Sequence, residues 1–156
     1  MKLRFLFLLL ITLNFLAACN LQNLQPSADA TKIIEVEKRA YEAYQKEDWA
    51  LAEREYRYLV QQVPGQPDPW FKLGNIYART GQLDFAISTY REALIRDPKN
   101  SKIWHNLGVV QLRQATNTFA EMLQYTNESD PLHGRAQHVV NSVTDLMATG
   151  FVPPDE

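Results

Sequence analysis

Apolar residues between Pro67 and Asn100 recur in two blocks at helical spacing. Trp70, Leu73, Ile76 and Tyr77 fall on one helical face, and Phe85, Ala86, Thr89, Tyr90, Ala93 and Leu94 make a second stripe. Spacings of three and four residues predict two amphipathic helices with polar outer faces. Asp68 followed by Pro69 reads as an N-cap with proline in the first helical position. Gly81 is expected to end the first helix, because glycine enters the left-handed region without a Cβ penalty. Pro98 cannot continue the second. Asp130 and Pro131 repeat the cap-plus-proline start. Leu132, Ala136, Val139, Val140, Val143, Leu146 and Met147 then predict a final helix, with Gly150 as its stop and Phe151 placed to fold back on Leu146.

These blocks repeat at a fixed interval of 34 residues. Trp70 recurs as Trp104, Leu73 as Leu107 and Gly74 as Gly108; Ala52, Ala86 and Ala120 align, as do Tyr56 with Tyr90 and Pro64 with Pro98. An ungapped period of this length marks a solenoid, in which each unit buries its apolar face against the next. Small residues at Gly74, Gly108 and Ala86 are expected to let the paired helices approach closely. Trp70→Ala is expected to cost ~3–5 kcal/mol if the ring is buried.

The segment 67–100 resembles the tetratricopeptide repeat (TPR) family throughout, with Trp70, Leu73, Gly74, Tyr77, Ala86, Tyr90, Ala93 and Pro98 on its pattern. The segment 33–66 matches in its second half through Ala52, Tyr56, Leu59 and Pro64; its first helix carries Val36, Arg39, Ala40 and Ala43. From Ser101 the chain keeps Trp104, Leu107, Gly108 and Ala120 and then drifts: Gln111 replaces the tyrosine, Gln124 the aromatic, and Pro131 falls one place early. The resemblance implies an all-α, TPR-type helix-turn-helix solenoid of two to three repeats, about 33–66, 67–100 and 101–131, with a capping helix at 131–149 and a tail at 150–156. The capping helix is expected to cover the edge of the last repeat; the alternative is that it swings away to bind a partner or a second copy.

The N-terminus has a different character. Lys2 and Arg4 precede an apolar run from Phe5 to Leu16, broken only by Thr12 and Asn14, and Leu16-Ala17-Ala18-Cys19 follows. This is the layout of a secretory signal peptide, and the run is shorter than the ~20 apolar residues of a membrane-spanning helix. Its end resembles the bacterial lipobox. That resemblance implies removal of residues 1–18 and acylation of Cys19, with anchoring that takes two or more acyl chains. Asn20, where an aspartate would favour the inner membrane, points to the outer membrane facing the periplasm. The alternative is a free thiol in an uncleaved signal anchor. Cys19 is the only cysteine, so no intramolecular disulfide is expected. Residues 20–30 read as a flexible tether reaching at most ~40 Å. Of the 16 basic residues, Lys2 and Arg4 lie in the signal; 14 remain against 18 acidic ones, a net charge of −4. That balance gives no electrostatic case for nucleic acid.

No nucleotide-binding glycine loop, His-Glu-x-x-His helix or nucleophile elbow occurs. His133 and His138 are five apart, the wrong spacing for one helical face. Glu53 with Glu55, and Glu35 with Glu37, read as solvated helix faces rather than acid/base pairs. No enzyme activity, cofactor or metal is expected. The TPR resemblance implies a concave groove lined by the first helix of each unit, holding a protein or peptide partner. It transfers that role to Lys38, Tyr41, Tyr44 and Gln45, then Phe71, Lys72, Asn75 and Arg79, then Lys102, His105, Asn106, Val109 and Arg113. This set is basic although the chain is acidic. It therefore suits an acidic peptide or a C-terminal carboxylate, with Asn75 and Asn106 bonding the peptide backbone. Carboxylate-clamp members carry lysine where Phe71 stands, so the strict clamp is not matched. The expected function is a membrane-anchored, non-catalytic adaptor or scaffold in envelope, pilus or secretion assembly. The alternatives are a self-associating structural module and, more remotely, a periplasmic enzyme.

Overall fold

A computed structural model describes residues 28–148. Among these residues all regular structure is helical: α1 (Ala28–Gln45), α2 (Trp49–Gln62), α3 (Pro67–Arg79), α4 (Leu83–Arg96), α5 (Ser101–Leu123) and α6 (His133–Ala148). The chain divides into two units, 1–36 and 37–156. Of the first, the described part is the opening stretch of α1. The second holds the repeats.

Two helical hairpins follow the expected period, and their turns share one chemistry. After α3, Gly81 adopts φ 77°. Gly81 N–H donates to Ala78 O at 3.4 Å and Gln82 N–H to Tyr77 O at 2.8 Å. These are the paired bonds of a Schellman motif, which satisfy carbonyls the helix end leaves free. After α1 the same pair runs from Glu47 to Tyr44 O (3.1 Å) and from Asp48 to Ala43 O (2.9 Å). Here the left-handed position, φ 56°, is held by Glu47, which stands 34 residues before Gly81. A Cβ in that region costs ~1–2 kcal/mol. Glu47→Gly is therefore expected to stabilise the fold by ~1 kcal/mol, seen as a higher urea midpoint at unchanged slope. Asp48 then caps α2, its carboxylate accepting from Leu51 N at 3.1 Å.

The third unit departs from the expected hairpin. The corresponding position is Ala115, the best helix former, and α5 runs through it as one helix of 23 residues. The segment expected to fold back as a second helix instead prolongs α5. Ala120, aligned with the fully buried Ala86, is exposed for that reason. The return helix is α6, which packs against α5 with Ala136 buried and Val139, Val140, Val143 and Met147 half-buried. Leu132 and Leu146 stay exposed.

Other boundaries shift as well. The segment read as tether is helical from Ala28. Pro67 rather than Pro69 opens α3, and the preceding Gln66 makes no side-chain cap. Asp130 accepts from Leu132 N at 2.8 Å in the turn before α6 rather than capping a helix at Pro131. Residues 1–27, with Cys19 and most of the expected tether, and 149–156, with Gly150 and Phe151, lie outside the described residues.

Close approach holds at Gly74 and fails at Gly108. A Cβ on Gly74 would lie 2.6 Å from two ring carbons of Tyr90, whereas one on Gly108 would meet nothing within 4 Å. The difference follows from the straight α5. The position 34 residues after Tyr90 is Gln124, carried to the far end of that helix.

Candidate functional site

The first helices of successive units meet through a buried polar cluster. Asn75 of α3 and Asn106 of α5 are 5% and 0% exposed. Asn75 Oδ1 accepts from the Tyr90 hydroxyl at 2.7 Å and from Asn106 Nδ2 at 2.9 Å. Asn75 Nδ2 donates to the Tyr44 hydroxyl at 3.3 Å. Burial pushes the Tyr90 phenol above its ordinary range, partly offset by its bond with Asn106, so it remains a donor near neutral pH. Tyr44 is itself buried, edge-on to Trp49 at 5.5 Å and to Tyr56 at 6.2 Å.

This corrects the expected groove. Asn75 and Asn106 are committed to each other and to tyrosines, and are not displayed to a peptide backbone. Tyr44, Phe71 and Val109 are likewise core; Phe71 packs on Tyr90 with ring centroids 6.1 Å apart. Helix α3 is flanked by neighbouring helices on both sides, so positions that look outward by periodicity are covered.

The remaining candidates stay at the surface. Lys38, Tyr41, Gln45, Arg79, Lys102 and Arg113 are exposed; Lys72 and His105 are half-buried. Lys72 Nζ sits 4.9 Å from the Tyr44 ring centroid, and the Arg79 guanidinium 5.5 Å from that of Trp49. Arg113 donates to Ala78 O of α3 at 3.3 Å. Lys38 pairs only loosely with Glu42, at 3.9 Å. Lys72 and Arg113 thus lie along the seams between successive first helices, held by aromatic faces and a helix-end carbonyl.

One acidic residue departs from the expected solvated face. Glu55 is 8% exposed and bonded by Arg39 at 3.2 Å and Arg54 at 2.9 Å. Its position on the α2 stripe beside Ala52, Tyr56 and Leu59 was the available signal.

The two period-related tryptophans keep matching polar anchors. Trp70 Nε1 donates to Pro64 O at 3.1 Å and Trp104 Nε1 to Pro98 O at 2.9 Å. Their ring environments differ. The Arg96 guanidinium covers Trp70 at 4.4 Å and also bonds Pro64 O, whereas Trp104 is 55% exposed. Trp104 lies in a cleft between α4 and α5 lined by Arg91, Leu94, Ile95, Leu107 and Gln111. Each of these residues lies 34 positions after one that lines a cleft of the preceding unit, which runs from Arg57 through Trp70 to Tyr77. That earlier cleft is closed on its open side by Phe85 and Thr89 of α4, with Phe85 5.5 Å from the Tyr77 ring. The later one has no such wall. Sequence reasoning missed this; the drift at Gln111 and Gln124 was its signal.

Two family profiles described as tetratricopeptide repeat match residues 37–101 and 89–134. Together they span more than half of the 156 residues. The general transcriptional corepressor ssn6 of Schizosaccharomyces pombe is 33% identical over 78 residues, which are 49% of this chain and 7% of that protein. The chain therefore spans only a small part of that relative. The crystal structure of the Sgt2 TPR domain from Aspergillus fumigatus superposes with a TM-score of 0.50 at 18% identity, covering 80% of this chain and 87% of that one. At that identity the likeness is one of fold.

Proposed function

The chain belongs to the tetratricopeptide repeat family, and on that premise we propose that it is a non-catalytic adaptor that holds a protein partner through the cationic seams of its first helices. The observation that carries this reading is the sorting of the candidate set: the neutral polar residues are internal, while Lys38, Lys72, Arg79, Lys102 and Arg113 remain at the surface of an otherwise acidic chain. A segment with regularly spaced carboxylates is the ligand such a surface suits. Lys72→Glu with Arg79→Glu is expected to weaken capture of an acidic peptide at least tenfold, most at low salt, where exposed charges act furthest. Unchanged affinity in a variant of unchanged helicity would refute it.

The anchor belongs to the same proposal. Leu16-Ala17-Ala18-Cys19 resembles a lipobox, which supports acylation of Cys19 and placement in a bacterial envelope, at the outer membrane facing the periplasm. An adaptor in envelope, pilus or secretion assembly fits that address. A clickable fatty-acid probe fed to expressing cells is expected to label the protein and to leave a Cys19→Ala variant unlabelled; label that persists in the variant would discard the anchor.

A further inference from the structure

The open cleft beside Trp104 is the start of a longer surface. On α5, Trp104, Leu107, Gln111, Ala115, Thr118 and Met122 follow one another at spacings of three and four, so they share one helical face. Tyr125, just past the helix end, continues it. None of these side chains is charged. Trp104 and Tyr125 are 55% and 81% exposed, and Ile95 beside them on α4 is 72% exposed. Large apolar side chains grouped on one uncharged face mark a docking surface.

The preceding unit shows what closes such a cleft: the second helix of its own hairpin, which brings Phe85 and Thr89 against Trp70, Leu73 and Tyr77. In the third unit the straight α5 carries the corresponding stretch away. We infer that this face of α5 pairs, antiparallel, with the same face of α5 in a second copy of the chain. A two-fold axis between Gln114 and Ala115 sets Leu107 opposite Met122 of the second copy, Gln111 opposite Thr118, and Trp104 opposite Tyr125. Each chain then supplies the wall that the other lacks, and both clefts close at once, as an isologous contact requires. The smallest side chain of the face, Ala115, sits beside the axis, where the two backbones come nearest. Gly108, with no neighbour within 4 Å of its Cβ position, leaves room for the incoming helix. A foreign helix would fill one cleft and leave the far half of the stripe bare. The pairing uses a different face from the cationic seams, so it goes beyond the adaptor reading and can fail without it.

The test uses the full chain in detergent with Cys19→Ala, so that one introduced thiol is the only one. Ala115→Cys is expected to form a disulfide-linked dimer on mild oxidation, at least tenfold faster than Asn117→Cys, an exposed site off the stripe. Adding Trp104→Glu is expected to bring the Ala115→Cys rate down to that of Asn117→Cys, with helicity by circular dichroism unchanged. Equal rates at the two sites, no dimer from either, or a rate unaffected by Trp104→Glu would each overturn the pairing. Light scattering that gives a monomer mass for the Cys19→Ala chain at all concentrations would do the same.

Discussion

Tyr90→Ala is expected to lower the unfolding free energy by ~3–5 kcal/mol, the range for truncating a buried aromatic ring. Tyr90 is fully buried. Its ring lies on Phe71 and against the bare Cα of Gly74, and its hydroxyl donates to Asn75. Truncation opens a cavity at the centre of the best-formed hairpin and removes one of two donors from a buried amide oxygen. Tyr90→Phe separates the two losses. It keeps the ring and leaves Asn75 Oδ1 its bond from Asn106, so it is expected to cost ~1 kcal/mol. Urea midpoints read at constant slope report both. Equal losses from the two variants would mean that the hydroxyl, not the packing, dominates.

Gly74→Ala is the second large effect, and it comes from adding one carbon. At 2.6 Å from two ring atoms of Tyr90, the new methyl cannot be housed unless α3 and α4 separate. Overpacking of this kind costs ~1–3 kcal/mol, more than the ~1 kcal/mol that alanine gains over glycine in helix propensity. A lower thermal midpoint is the expected readout. Gly74→Ala combined with Tyr90→Leu is expected to lose less than the sum of the single changes, because the shorter side chain clears the contact. Strict additivity would show that the clash is not the cause.

The hairpins were legible because their determinants are local and repeat. The apolar stripes, Gly81 and Pro98 specify two helices and a turn without reference to anything distant. The third unit was not legible as drawn, although its determinant is also local. Position for position, the turn residue runs Glu47, Gly81, Ala115. An alignment that scores Trp104, Leu107 and Gly108 gives little weight to a missing glycine, yet that residue decides whether α5 bends. The groove was half legible. Transferring positions from a repeat pattern says which way a side chain leaves its helix, and not whether a neighbour covers it. Lys72 and Asn75 are three residues apart on one helix; one reaches the surface over Tyr44 and the other ends inside. Only the packing of α3 against the helices on either side separates them. Glu55 shows the converse: a charge on an apolar stripe, retained because two arginines neutralise it.

The oxygen of Asn75 takes hydrogens from two other helices while its nitrogen gives one to a third. To slide any of them by a full turn, ~5.4 Å, would strand an amide in an apolar interior. The intervals between the cations that these helices display are therefore fixed like the marks on a ruler. A ligand whose carboxylates are set to another pitch cannot be accommodated by flexing; it loses contacts instead.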